Sequence, residues 1–440
     1  MAAIKIPVLR EKPDIVVRVP GSKSISNRAL LMAALSESGC TLKGVLFSDD
    51  SRHFISSLQS LGYICDIDEE EYTVSVKRDS ESLIPKSEAS INVGSAGTAA
   101  RFLTCMLGMS AGKYRIECSD QMKKRPMSEL LDLLKDIGAD INYLEEIGHL
   151  PIEITGAGCN QDNGNRFEDA ELTISIDISR STQYLSALLM ISPILNRDVT
   201  ITVSSEKKYG SYIGITLKMM KDFGVEVESD ITNGIYRIRK GSAYTIKEYE
   251  VEADMSAAAY FYALAQIHGG SCLVKGIYSD NMQGDLKFLY ALEKLGASLE
   301  DCADGIRLTG PKDGIYDGIK IDMNDFSDQA ITMAVVAAFA KSDTTIEHIG
   351  HIRGQESDRL SGIACELKRL GLDVEEREDS ITIHPGPMHE ALIETYDDHR
   401  MAMGFSLVGT KVEGVMIDNY QCCAKTFENY FDVLLSLLWN

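Results

Sequence analysis

The 440-residue sequence is short of positive charge: 44 lysines and arginines stand against 66 aspartates and glutamates, a formal net charge of −22. Non-specific nucleic-acid binding needs a cationic surface that displaces counterions from phosphates, so this balance argues against it. Long apolar runs are missing too. The longest, around Ala334 to Ala340, falls far below the roughly 18 residues that span a bilayer. The first residues, MAAIKIPVLREKPDI, are broken by charges and prolines and lack an apolar signal core, so a soluble cytoplasmic protein is expected.

No CxxC occurs among the cysteines Cys40, Cys65, Cys105, Cys118, Cys159, Cys272, Cys302, Cys365, Cys422 and Cys423. They are expected to be reduced thiols in the core. HExxH is absent, and His348 and His351, three apart, have no cysteine cluster near them. Neither a metal nor a cofactor is expected. The stretch NVGSAGTAA, Asn92 to Ala100, matches neither GxxxxGK[ST] nor GxGxxG. Its glycines better suit a close approach of main-chain N–H groups to an anion. Without GxSxG there is no nucleophile elbow, and nothing suggests hydrolysis through a covalent serine.

What is present is repetition. Six apolar, alanine-rich runs read as buried helices: NRALLMAALS from Asn27, TAARFLTCML from Thr98, QYLSALLMIS from Gln183, SAAAYFYALA from Ser256, QAITMAVVAA from Gln329 and RMAMGFSLVG from Arg400. Their starts are 71, 85, 73, 73 and 71 residues apart. A β-like run follows each, such as YRIEC, VTITV or TTIEHI. Next comes an amphipathic helix that ends in glycine five times, at Gly62, Gly138, Gly224, Gly296 and Gly371. A hairpin pattern closes the unit, as in VEVESDITNGIYRI, with its turn expected at Asn233-Gly234. The unit is helix, strand, helix, hairpin, and the fold class is α/β. The sixth copy stops before its hairpin, and IKIPVLREKPDIVVRV, Ile4 to Val19, supplies one at the other end of the chain. Circular closure is therefore expected, rather than an open solenoid. One three-repeat lobe would span 21–252 and the other 1–20 plus 253–440, a hinge-like arrangement suited to closing over a ligand.

Each repeat also presents polar or charged residues near a helix start, where unpaired N–H groups favour anions. Lys23 and Arg28 bracket the first helix, Arg125 lies in QMKKRPMSEL, Arg359 in GQESDRL, Arg400 in YDDHRMAM and Lys425 in CCAKTF. A repeat that gathers such cations suits a ligand with more than one phosphate or carboxylate. Asp328, in FSDQA, and Glu356 with Asp358, in QESDR, accompany them. Read blandly they are helix caps or salt-bridge partners; beside cations they become candidates for moving protons.

PGSKSISNRALLMAAL, GSAGTAARFL, MKKRPM, STQYLSALLM, QESDRL, DDHRMAM and AKTF, in this order and spacing, closely resemble the 5-enolpyruvylshikimate-3-phosphate synthase family, from about Pro20 to the C-terminus. The resemblance implies a two-lobed inside-out α/β barrel of six βαβαββ-type repeats, three per lobe, with the active site in the interlobe cleft. It implies transfer of the enolpyruvyl group of phosphoenolpyruvate to the 5-hydroxyl of shikimate 3-phosphate, with release of phosphate, in chorismate and aromatic amino-acid biosynthesis. Both substrates would be bound without metal, cofactor, nucleic acid or membrane, by a monomer. Carried over by motif, Lys23, Ser24, Arg28, Ser181, Thr182, Gln183, Asp328, His351 and Gln355 would bind shikimate 3-phosphate. Lys23, Gly97, Arg125, Gln183, Arg359, Arg400 and Lys425 would hold phosphoenolpyruvate. Asp328 would take the hydroxyl proton, and Glu356 with Lys23 would take part in protonating the methylene carbon.

Four positions depart from the family's usual residues: Gln355 for lysine, His351 for asparagine, Ser95 for asparagine and Phe102 for proline. The serine expected near YIGITL aligns equally with Tyr209 or Ser211. Gln355 weakens the expectation for shikimate 3-phosphate binding more than the reaction type. The related transferase acting on UDP-N-acetylglucosamine is the nearest rival, but Cys118 lies seven residues before Arg125 with a different sequence between them. A non-catalytic binding protein of the same fold is the rival from another class.

Overall fold

The structure, a computed structural model, describes residues 3–158, 171–195 and 197–438. Its chain forms two compact units, Gly21–Val251, and Met1–Pro20 with Glu252–Asn440. Among the described residues no helix is long and apolar enough to cross a membrane.

In the unit Gly21–Val251 the helices Lys23–Leu35, Gly97–Met109 and Gln183–Ile191 pack against one another. They are apolar on nearly every side, so none has a face to offer water, and every residue of Gly97–Met109 is buried. Three sheets surround them among the described residues. In one, Glu88–Asn92 runs parallel to Lys113–Glu117, which pairs antiparallel with Ile152–Thr155, and Asp140–Tyr143 forms the far edge. The first repeat takes its parallel partner from the end of the third: Glu248–Glu250 pairs with Thr41–Lys43. The three repeats thus close on themselves rather than running on as a solenoid.

The second unit repeats the plan with helices Met255–His268, Ala330–Ala338 and His399–Gly409. Its closure differs from the expected hairpin. Ile4–Lys5 does join the sixth repeat, antiparallel to Met416–Ile417. Asp14–Arg18 instead runs parallel to Ser271–Lys275 of the fourth repeat, burying Ile15 and Val17. The reason lies in the chain path. The fourth repeat begins directly with its buried helix, so without Asp14–Arg18 the N–H and C=O groups along that edge of Ser271–Lys275 would lack partners.

Two smaller expectations also change. The Asn233-Gly234 turn is part of a four-residue loop between paired Asp230 and Ile235, with Asp230 Oδ1 accepting from Asn233 N at 3.1 Å. Cys40, Cys105, Cys272 and Cys423 are buried, but Cys65, Cys118, Cys302 and Cys422 are half-buried and Cys365 is exposed. Helix Arg359–Arg369 buries Leu360, Ile363, Ala364 and Leu367, which leaves Cys365 on its outer side. Cys159 lies outside the described residues.

The outer helices end as their glycines require. Ser128–Ile137 buries Leu130, Leu131 and Leu134, then stops at Gly138, whose φ of 114° lies in the left-handed region. Gly62, Gly224, Gly296 and Gly371 fill the equivalent place with positive φ. A Cβ at Gly138 would meet nothing nearer than Ala157 Cβ at 3.9 Å. Gly138→Ala therefore isolates the backbone cost of that conformation. Denaturant unfolding should show a loss of about 1–2 kcal/mol, and an unchanged midpoint would mean that the helix end is held by something else.

Candidate active site

In the unit Gly21–Val251 the three buried helices begin side by side. Asn27 Nδ2 donates to Thr98 Oγ1 at 2.5 Å, and Arg28 Nη2 donates to Ser186 Oγ at 3.3 Å. Their first turns contain no acidic residue. Lys23 occupies the first helical position instead, where a cation opposes the helix dipole and costs stability. Asp50, 2% exposed, offsets this, with Oδ2 at 3.2 Å from Lys23 Nζ.

Gly97 opens the second of these helices beneath two guanidinium groups. A Cβ there would stand 2.8 Å from Arg125 Nη1 and 2.9 Å from Arg101 Nη1, so a side chain would push the guanidinium groups aside. Arg101 is buried and donates to Gly97 O at 3.2 Å and Pro126 O at 3.4 Å. Burial, then the neighbouring Arg125, pulls its pKa down to about 10. Two guanidinium groups against a helix start make a place for an anion. Ser181 and Thr182, half-buried, precede the third helix, and Ser181 Oγ accepts from Gln183 N at 3.3 Å.

Arg28 lies under this surface, 1% exposed. Nε donates to Thr216 Oγ1 at 2.8 Å, Nη1 to Ser24 O at 2.9 Å and Nη2 to Tyr212 O at 3.2 Å. Its guanidinium stands over the rings of Phe102 and Tyr212, at 5.4 and 5.7 Å from their centroids. Burial among these neutral partners pulls its pKa down to about 10, with Tyr212 opposing. Phe102, a departure from the family's usual residue, thus forms part of the Arg28 seat.

The second unit gathers most of its expected residues into one charged cluster. Asp328, in the short turn Ser327–Gln329, accepts from Arg359 Nη1 at 3.0 Å and from Arg400 Nη2 at 3.1 Å. Arg359 also pairs with buried Asp398, Nε to Oδ2 at 2.8 Å, and donates through Nη1 to Gln355 Oε1. Burial would lower the pKa of Arg359, but Asp398 and Asp328 more than reverse this and raise it. Burial likewise opposes ionisation of Asp398, which Arg359 nonetheless keeps below the usual carboxylate range. Glu356 Oε2 lies 3.3 Å from Lys425 Nζ and 3.0 Å from His399 Nδ1. His351 is on the exposed side, with Nε2 at 2.7 Å from Ser327 Oγ.

Glu356, Asp398 and His399 present possible metal-ligand atoms within 4.8 Å of one another. Lys425 and Arg359 already neutralise the two carboxylates, which makes the cluster a poor cation site. His348 turns to Asp322 Oδ2 at 2.8 Å, away from His351's partner.

Several contributing residues escaped the sequence reading: Asp50, Arg101, Ser256, Asp285, Asp398 and His399. For one there was a signal. Each buried helix of this unit is preceded by an aspartate at a matching point of the repeat: Asp254, Asp328 and Asp398. Asp254 and Asp398 cap their helices, accepting from Ser256 N at 2.8 Å and Arg400 N at 2.9 Å. Asp328 reaches two guanidinium groups, so the comparison separates caps from a candidate for chemistry. Arg101, a charge inside TAARFLTCML, was a second legible anomaly.

The family described as EPSP synthase (3-phosphoshikimate 1-carboxyvinyltransferase) matches residues 12–434. The 3-phosphoshikimate 1-carboxyvinyltransferase of Nostoc punctiforme is 39% identical over 439 residues, covering 100% of both chains. Among solved structures, an EPSP synthase from Acinetobacter baumannii superposes with a TM-score of 0.79 at 22% identity, covering 99% of this chain and 98% of that one. The enolpyruvyl transferase NikO from Streptomyces tendae gives a TM-score of 0.75 at 15% identity, over 99% and 97%. Those two likenesses speak for the fold alone; the family match and the full-length identity carry the assignment. The chain belongs to the EPSP synthase (3-phosphoshikimate 1-carboxyvinyltransferase) family.

Proposed function

We propose that the chain transfers the enolpyruvyl group of phosphoenolpyruvate to the 5-hydroxyl of shikimate 3-phosphate, a transferase step of aromatic amino-acid biosynthesis. The observation that carries this reading is Asp328 held between Arg359 and Arg400. Phosphoenolpyruvate brings a phosphate and a carboxylate, and arginine's planar fork suits both. An anion that takes up these guanidinium groups releases the Asp328 carboxylate to accept the proton of the acceptor hydroxyl. The hydroxyl oxygen then bonds to C2 while C3 gains a proton from the Glu356 side, assisted by Lys23. In the second half of the reaction C3 loses a proton, the C2–O bond to phosphate breaks, and inorganic phosphate departs. No covalent adduct with the protein is needed, and cations fixed in advance stabilise the charge that develops.

Lys23, Gly97, Arg125, Arg359, Arg400 and Lys425 would hold phosphoenolpyruvate. Ser24, Arg28, Ser181, Thr182, Gln183, His351 and Gln355 serve the acceptor. One chain supplies every group named, which supports a monomer, and the nine free thiols among the described residues suit the reducing cytoplasm.

NikO shares the fold under another name, so the fold does not choose the acceptor. Phosphate release from phosphoenolpyruvate should depend on added shikimate 3-phosphate. Release with UDP-N-acetylglucosamine in its place would overturn the acceptor, and release with neither would leave a binding protein. Lys23→Ala and Asp328→Asn should each lower kcat by about 10²–10⁴-fold while circular dichroism stays unchanged. Near-normal turnover in either would show the roles to be wrong. Gln355→Lys restores a cation for the acceptor but removes the acceptor atom of Arg359. KM for shikimate 3-phosphate should fall and KM for phosphoenolpyruvate rise; an unchanged pair of constants would mean that Gln355 serves neither.

A further inference from the structure

We propose that Asp285 is a positioning residue for Arg400, acting through the hydroxyl of Ser256. The proposal rests on the reading above, in which Arg400 binds the anionic donor. Asp285 lies in the turn Gly284–Leu286 and is 8% exposed. Its Oδ2 accepts from Ser256 Oγ at 2.6 Å. A serine hydroxyl has a single proton. With that proton committed to Asp285, Ser256 Oγ can only accept on its other side, and there Arg400 Nη2 donates to it at 3.3 Å. The same Nη2 reaches Asp328 Oδ2 at 3.1 Å. One N–H of the terminal nitrogen is thus tied back into the protein while the other is shared with Asp328. When an anion displaces Asp328, the Ser256 contact keeps the guanidinium plane in its orientation.

The turn that carries Asp285 is itself clamped to the start of helix Met255–His268. Gln283 Oε1 accepts from Met255 N at 3.1 Å, Gln283 Nε2 donates to Ala253 O at 2.7 Å, and Asn281 Oδ1 accepts from Gln283 N at 2.9 Å. Asp285 and Ser256 therefore keep a fixed separation. A carboxylate in this position carries a cost. Burial, then the nearby Asp328, pushes its pKa up to about 6, with Arg400 and the Ser256 hydrogen bond opposing. An amide would fill the same space without that penalty. Its NH₂ group, however, can donate to Ser256 Oγ and turn the hydroxyl proton towards Arg400. Only an ionised carboxylate is an obligate acceptor, and that property fixes the direction of the chain from Asp285 to Ser256 to Arg400.

Asp285→Asn is nearly isosteric and tests this directly. At pH 7.5 KM for phosphoenolpyruvate should rise about tenfold, the size expected for one buried hydrogen bond to a charged group. KM for shikimate 3-phosphate and the melting temperature should change little. Ser256→Ala should give the same shift, and the double variant should be no worse than Ser256→Ala alone, because both act on one contact. Additive effects, or a loss of kcat with KM for phosphoenolpyruvate unchanged, would overturn the proposal. Wild-type phosphate release dependent on shikimate 3-phosphate is measured alongside, so failure of the reaction assignment is seen separately. If the wild type does not turn over, calorimetric binding of phosphoenolpyruvate reads the same link. A tenfold weaker Asp285→Asn would support the link, and equal or absent binding in both proteins would overturn it.

Discussion

Three helices with no hydrophilic face must bury one another, and in each unit this decides where everything else goes. Alanine-rich sequences such as SAAAYFYALA let backbones approach closely, and the surrounding sheets cover what remains. Helices that pack side by side in equivalent repeats begin at the same end. Their unpaired N–H groups therefore face one region, and the turn Ser327–Gln329 with the first turns of helices Met255–His268 and His399–Gly409 brings Asp328, Ser256 and Arg400 within hydrogen-bond reach. The site is a by-product of core packing, which explains how residues dozens of positions apart meet.

That arrangement also reconciles an acidic protein with an anionic ligand. The formal charge of −22 is spread over a surface screened within about 8 Å at physiological salt. Lys23, Arg359 and Lys425 each pair with a buried or half-buried carboxylate, so the resting clusters are close to neutral. An incoming phosphate or carboxylate exchanges one anion for another rather than entering an uncompensated positive field. Arg101 and Arg125 stand together against Gly97, and Glu129 is the carboxylate whose charge acts on Arg101.

Much of this was readable from residues alone. All-round apolar runs can only be enclosed helices, and a glycine after an amphipathic run ends it, so the repeat and its period could be read locally. Strand partnership could not. Alternation in DIVVR gives the buried face of Asp14–Arg18 but says nothing about which edge it completes. Second-layer polar groups were equally opaque: Asp285 and Asp50 resemble any loop or helix-cap aspartate until their neighbours are known. Arg28 reads as a ligand-facing cation in the sequence, and its burial was hidden because its partners, Thr216, Ser186 and Tyr212, come from distant positions.

The strand Asp14–Arg18 has an implication for how the chain is made. It is synthesised early, yet its partner Ser271–Lys275 follows more than 250 residues later. Gly21–Val251, a continuous stretch that closes its own sheets, can assemble in the interval. The segment Asp14–Arg18 must wait for Ser271–Lys275, a contact of very high sequence separation. Ile4–Lys5 waits longer still, for Met416–Ile417, so one short N-terminal segment ties together the fourth and sixth repeats.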